Sequence, residues 1–128
     1  MNIDPTSDWL LASEPSANQV LTVTLDGELQ ADAMKDLGRV LERLVHSGWR
    51  GLVLDLRNVH HLDYRGVGQL ASVASAARRA GGDVKLVGLS DYLRLILKAA
   101  GAHELFENYP DQKAARAAFG RVLVPTIH

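Results

Sequence analysis

Residues 52–68 read Leu-Val-Leu-Asp-Leu-Arg-Asn-Val-His-His-Leu-Asp-Tyr-Arg-Gly-Val-Gly, and this stretch decides the fold. It begins with Leu52–Leu56, which is almost entirely apolar on both faces, as in a central strand that is covered on both sides. It ends in glycines that lead into a helix. Between the strand and the helix lies a loop with Asp63, Tyr64 and Arg65. Loops in this position often carry function, because a helix start presents free N–H groups and a partial positive charge.

The composition bounds the class of protein. The chain has 128 residues and 47% hydrophobic content, which suit one domain with a full core. It has no cysteine, which excludes disulfides and thiolate metal sites. Its net charge is −1 and its basic residues are dispersed, so we expect no nucleic-acid partner. The chain lacks a signal peptide and an apolar run of ~18 residues, so we expect a cytoplasmic location without membrane insertion.

Apolar periodicity predicts alternating strands and helices between a loose end at 1–8 and a tail at 120–128. The predicted strands are Trp9–Ala12, Val20–Asp26, Leu52–Leu56, Val84–Leu89 and Leu105–Phe106. The predicted helices are Ala31–His46, a stripe from Val67 to Ala77, one that Ser90 caps and Gly101 ends, and one that Asp111 caps and Gly120 ends. The order β-β-α-β-α-β-α-β-α predicts an α/β fold with a mixed sheet of about five strands and crossover helices. The sheet is expected to be mixed because no helix joins the two leading strands.

The glycines at the helix start resemble a nucleotide-binding pattern, because Gly66 to Ala71 matches G-x-G-x-x-A. In that fingerprint the first glycine follows the strand almost directly, in the first βα unit of the domain. Here nine residues, Arg57 to Arg65, intervene, and two strands and a helix come earlier. The glycines therefore indicate a close turn and tight helix packing rather than a dinucleotide site.

The candidate catalytic and metal-binding residues have simpler interpretations. Asp63 is placed to cap the helix, and no second acid or histidine stands at a spacing that predicts acid–base catalysis. His60 and His61 are adjacent, so on extended chain they point to opposite sides and do not predict a shared metal ion. We expect no enzymatic activity, no metal and no cofactor.

Four segments together resemble the STAS domain, a family named for sulphate transporters and anti-sigma-factor antagonists. They are residues 26–29, 52–68, 81–89 and 100–106, and the resemblance covers about residues 9–119 as a single domain. It implies that the chain is a regulatory module. Stand-alone bacterial members bind an anti-sigma factor or a related serine kinase. The kinase can phosphorylate a serine in an Asp-Ser-Ser-Gly motif at the helix start, which breaks the complex.

This sequence departs from the family at that motif, which here reads Asp63-Tyr64-Arg65-Gly66. Arg65 occupies the place of the phosphoacceptor serine and Tyr64 that of the serine before it. Arginine has no hydroxyl, and its charge is opposite in sign to that of a phosphate. A cation beside a helix N-terminus is unfavourable by up to ~1 kcal/mol, so Asp63, a partner carboxylate or a bound anion is expected to compensate. The family's acidic residue after Gly-Glu-Leu is Gln30 here, and Asp32 could substitute for it.

We therefore expect a non-enzymatic module that binds an anti-sigma factor, a serine kinase or a diverged relative. Tyrosine and arginine are favoured anchors at protein interfaces. A nucleotide or anion sensor and an accessory subunit of a lipid-transport ATPase stay as alternatives, and a homodimer stays open. The expected partner-binding residues are Asp63, Tyr64, Arg65, Gly66, Gly68, Gln30 and Asp32.

Overall fold

The computed structural model describes the backbone of residues 20–123 and the side chains of residues 20–119. Its elements are β1 (Val20–Leu29), α1 (Ala31–His46), β2 (Gly51–Leu62), a 3₁₀ turn (Tyr64–Gly66), α2 (Val67–Arg79), β3 (Asp83–Val87), α3 (Asp91–Ala99), β4 (Asn108–Tyr109) and α4 (Gln112–Leu123). The four strands form one sheet in the order β1-β2-β3-β4, and every pair is parallel. The predicted α/β architecture is confirmed.

The sheet is covered on both faces, as the apolar centre of β2 predicts. Leu52, Leu54 and Leu56 belong to the larger core cluster, which α1, α2 and α3 share. Val53 belongs to a smaller cluster on the opposite face, where α4 supplies Phe119. Successive side chains of a strand point to opposite faces, so β2 is buried on both.

The helices follow the predicted apolar stripes. The stripe of α1 is buried to 2% exposure or less at Met34, Leu37, Leu41 and Leu44. In α2 the fully buried residues include small alanines, which let this helix lie close to the sheet. Ser90 caps α3 as predicted, since its hydroxyl accepts a hydrogen bond from Leu93 N.

Strands β1 and β2 both extend further than predicted. β1 continues from Asp26 to Leu29 through two register irregularities, and β2 continues to Leu62. The second half of β2 carries exposed polar side chains and loses regular alternation, so its strand character depends on pairing with β1. Only Asp63, Tyr64 and Arg65 separate β2 from Gly66, where the sequence predicted nine intervening residues. Of the two departures from the dinucleotide-binding fingerprint, only the late position of this βα unit in the chain therefore remains.

Two other predictions were wrong. Leu105–Phe106 is not a strand, and the fourth strand is Asn108–Tyr109. Phe106 lies in a loop and packs into the core, which accounts for the apolar pair that predicted a strand. Gly120 does not end α4, which continues to Leu123. The predicted strand Trp9–Ala12, on which the expected mixed pairing depends, lies outside the described residues.

A buried polar network holds α4 against the sheet. Asp55 of β2 is 3% exposed and accepts hydrogen bonds from Arg57 Nε (3.0 Å) and from Gln112 Nε2 of α4 (2.7 Å). Burial alone would raise the pKa of the Asp55 carboxyl, but the hydrogen bonds from Arg57 and Gln112 outweigh it and hold the pKa below its ordinary value. None of the helices in residues 20–123 is long and apolar enough to cross a membrane.

We expect the α4 face to be essential for stability. Phe119 is 1% exposed, and truncation to alanine leaves a cavity, so Phe119→Ala should lower the free energy of unfolding by about 3–5 kcal/mol. Leu95 is 64% exposed on α3, and Leu95→Ala should change it by no more than ~0.5 kcal/mol. Urea unfolding of both variants measures the difference. Equal losses would show that α4 does not close the core.

Candidate functional site

The carboxyl ends of β1 and β2 lie side by side. Asp63 N, just after β2, donates a hydrogen bond of 2.8 Å to Leu29 O, the last residue of β1. This bond places the 3₁₀ turn beside the start of α1. Ligand sites of open α/β sheets lie outside the carboxyl ends of the strands, so this edge is the candidate site.

Asp63 organises the turn. Its Oδ1 accepts hydrogen bonds from Arg65 N (2.8 Å) and Arg65 Nε (3.1 Å), and its Oδ2 accepts one from Arg65 Nη2 (2.9 Å). The predicted cap is confirmed for the 3₁₀ turn that leads into α2. Asp63, a partner carboxylate or a bound anion was expected to compensate the cation at the helix start. In the structure it is Asp63 that pairs with the Arg65 guanidinium.

The two members of this ion pair differ in solvent exposure, and each shifts the pKa of the other. Asp63 is 7% exposed, whereas the Arg65 side chain is 76% exposed. The hydrogen bonds from the Arg65 guanidinium, and then that from its backbone N–H, lower the pKa of Asp63 from 3.8 to about 2. The same contacts raise the pKa of Arg65. The Asp63 carboxylate therefore stays ionised in the folded protein at neutral pH.

The two glycines of the motif have different surroundings. A Cβ on Gly66 would lie 2.5 Å from Met34 Cβ, so the absence of a side chain lets the turn pack directly on α1. A Cβ on Gly68 would meet nothing within 4 Å. The predicted close packing holds for Gly66 and not for Gly68.

A shallow depression of about 220 Å³ lies where the starts of α1 and α2 meet. It is lined by Ala31, Lys35, Arg65, Gly66 and Gln69, and we call it the Lys35–Arg65 depression. Two of its side chains are cationic, so its chemistry suits an anion.

Two of the lining residues, Lys35 and Gln69, were not predicted from the sequence. Each stands four residues after another lining residue, Lys35 after Ala31 of α1 and Gln69 after Arg65 of the 3₁₀ turn, and this spacing is the only signal that could have found it. Gln69 lies across α1, since a Cβ on Gly38 would be 2.3 Å from Gln69 Cδ. Its amide is therefore held between the two helices.

The other expected site residues lie around the depression and do not line it. Tyr64 is 57% exposed on the 3₁₀ turn. Gln30 is the N-cap residue of α1, but its side chain makes no hydrogen bond to the helix, and its Nε2 donates to Glu28 Oε1 at 3.0 Å. Asp32 is exposed in the first turn of α1. Arg65 and Gly66 are thus the expected residues that the structure brings into the depression.

The end of β2 also contacts α3. His61 Nδ1 lies 2.7 Å from Tyr92 Oη, and the two rings are stacked with centroids 5.9 Å apart. This pair leaves His60 on the exposed side of the strand, as adjacent positions require. Within residues 20–119, no cluster of three or more His, Cys, Asp or Glu side chains is arranged to hold a metal ion.

Comparisons with known proteins agree with this geometry. The family model described as STAS domain matches residues 14–115. A comparison with curated protein sequences gives no match. Solved structures of the same fold include the anti-sigma factor antagonist SpoIIAA in its unphosphorylated form, at 17% identity, with 84% of this chain and 94% of that chain covered and a TM-score of 0.70. SpoIIAA from Bacillus has also been solved in a phosphorylated form.

Two further solved structures come from other organisms. An anti-sigma factor antagonist from Mycobacterium paratuberculosis is 23% identical, with 82% of this chain and 89% of that chain covered and a TM-score of 0.69. A sulfate transporter family protein from Wolinella succinogenes is 18% identical, with 96% of this chain and 100% of that chain covered and a TM-score of 0.67. At these identities the likeness establishes the fold.

We expect the two glycines of the motif to respond in opposite directions to alanine. Gly66→Ala should lower the free energy of unfolding by about 1–3 kcal/mol, because its Cβ overlaps Met34 in a tight contact. Gly68→Ala should raise it by up to ~1 kcal/mol, because alanine is the better helix former and its Cβ meets open space. Urea unfolding of each variant checks this. Similar losses at both positions would contradict the assigned packing.

The Asp63–Arg65 pair predicts a specific acid sensitivity. The pKa of Asp63 is about 2 when folded and 3.8 ordinarily, so its stabilisation is complete above about pH 4 and disappears as the pH falls towards 2. Asp63→Asn should remove this part of the decline in the free energy of unfolding between pH 4 and 2. Tyr64→Phe, which changes no acid-titrating group in the same turn, should retain it. Parallel pH profiles for wild type and Asp63→Asn would refute the pairing.

Proposed function

Because this chain belongs to the STAS domain family, we propose that it is a non-enzymatic regulatory module that binds a partner protein, as an anti-sigma-factor antagonist does. The partner would be an anti-sigma factor, a serine kinase or a diverged relative. The contact surface would comprise the 3₁₀ turn, the start of α2 and residues Gly27–Asp32, which form the end of β1 and the start of α1.

The observation that carries this proposal is the Asp63–Arg65 pair at the helix start. Asp63 caps the turn, and residue 65 carries a guanidinium and no hydroxyl. The side chains of Tyr64 and Arg65 are largely exposed although they stand at the end of a buried strand. Exposed tyrosine and arginine on a rigid turn are suited to anchor a protein interface.

The same residues argue against control by phosphate at this place. SpoIIAA has been solved in an unphosphorylated and in a phosphorylated form. Here residue 65 offers a guanidinium whose donors bond to Asp63. We propose that the phosphorylation cycle at this position is lost while partner binding is kept.

The alternative of a nucleotide sensor has weaker support. The Lys35–Arg65 depression holds about 220 Å³, below the roughly 300–1,000 Å³ of typical small-molecule pockets. The second alternative is an accessory role on a lipid-transport ATPase. The identity of the protein that co-purifies with this chain distinguishes that role from the first proposal.

Affinity purification of the full chain from its native cells, followed by mass spectrometry, tests the proposal. We expect an anti-sigma factor or kinase-like protein, and calorimetry should show that Tyr64→Ala weakens that complex at least about tenfold. Leu105→Ala is the matched control, because Leu105 is also exposed and its carbonyl contacts Arg78 at the opposite end of α2. An ATPase as the sole partner, or equal affinities for both variants, would reject the proposed module or its surface.

The phosphorylation claim has its own readout. Incubation with the partner and ATP should leave position 65 of the wild-type chain unmodified by peptide mass mapping, and should leave the complex intact. The Arg65→Ser variant restores the hydroxyl and shows whether the partner has kinase activity. Phosphate on the wild-type turn, or loss of its complex with ATP, would overturn the claim.

A further inference from the structure

Resting on the proposed function, we propose that the Lys35–Arg65 depression receives one carboxylate side chain of the partner protein. The partner's contact segment is then acidic. At this position the chain would supply the positive charge and the partner the negative one, whereas a phosphoserine would make the chain itself negative. The proposal concerns the chemistry of the partner, so it can fail while partner binding itself stands.

The charge of the lining carries the first step. Lys35 is exposed and forms no ion pair or hydrogen bond with residues 20–119. Asp32, one turn earlier, does not pair with it. Asp36, the residue after Lys35, pairs instead with Arg39 at 3.4 Å. The charge of Arg65 is balanced by Asp63. The lining therefore has one uncompensated positive charge.

That single charge matches a carboxylate better than a phosphate. A carboxylate contributes one negative charge, whereas a phosphate group contributes about −1.5 to −2. A phosphate would also stand close to the ionised Asp63, which already accepts three hydrogen bonds from Arg65. A carboxylate carries a smaller negative charge, so Lys35 neutralises it and its repulsion from Asp63 is weaker.

The hydrogen bonds of the Arg65 guanidinium favour the binding of a side chain. Arg65 donates Nε and Nη2 to Asp63, and no acceptor in the described part of the chain bonds to Nη1. The guanidinium is thereby held in one orientation with a donor left for a ligand. Gln69, fixed across Gly38, adds an amide to the same depression. Preorganised donors around a small recess suit a side chain rather than a whole cofactor.

The experiment uses short capped peptides and the full ¹⁵N-labelled chain. One peptide has a single central glutamate, a second has glutamine there and a third has phosphoserine. The glutamate peptide should shift the backbone amides of Ala31, Lys35, Arg65, Gly66 and Gln69, and the glutamine peptide should not. Raising the ionic strength from about 0.1 M to about 1 M shortens the Debye length from about 10 Å to about 3 Å and should weaken binding severalfold.

Matched charge reversals locate the site without disturbing the turn. Lys35→Glu should weaken glutamate-peptide binding at least about fivefold, whereas Lys113→Glu, at an exposed lysine of α4 on the other face of the sheet, should leave it unchanged. Shifts spread over lysines generally, or equal binding of the glutamine peptide, would overturn the proposal. Tighter binding of the phosphoserine peptide would overturn it in favour of a phosphate site. The affinity purification above is unaffected by any of these results.

Discussion

One backbone hydrogen bond, from Asp63 N to Leu29 O, closes the parallel ladder of β1 and β2, and the arrangement of the whole edge depends on it. Because the two strands pair along their lengths, they end at the same level. α1 and the 3₁₀ turn then start next to each other, and Gly66 packs on Met34. A slip of one residue in this register would turn every side chain of β2 to the other face, so the core itself holds the site in place.

The spacing Asp-x-Arg occurs twice around this ladder, with the same local geometry and different consequences. In both cases the aspartate accepts from the backbone N–H and the guanidinium of the arginine two residues later, as at Asp55–Arg57 and Asp63–Arg65. The first carboxylate also accepts from Gln112, which joins α4 to the sheet. The second carboxylate has no such third partner within the described residues. The Arg65 side chain is 76% exposed, against 49% for Arg57. One local motif thus stabilises the fold at one place and shapes a surface at the other.

The helices were predictable because their apolar stripes are local, and α1 has the predicted limits of Ala31–His46. Elements that depend on distant pairing were not: the end of β2 is fixed by β1, and the two residues of β4 are strand only through their bonds to β3. The same division applies to the site. Asp63 and Arg65 stand out by their place between strand and helix, whereas Lys35 and Gln69 converge only when α1 packs on α2.

On the proposed function, Arg65 stands where a relative would carry a phosphoacceptor, and this would change the kind of control that this edge allows. A serine hydroxyl can change its charge by modification, but a guanidinium in a protein keeps its proton and its positive charge. Because Arg65 is paired with the ionised Asp63, the turn is held in one electrostatic state across neutral pH. On the proposed function, association would then respond to what the partner presents to Lys35 and Arg65: it would be favoured by a carboxylate, and weakened by salt or by loss of that carboxylate. The charge and abundance of the partner would thus control the complex, and the binding surface of this chain would keep the same charge throughout.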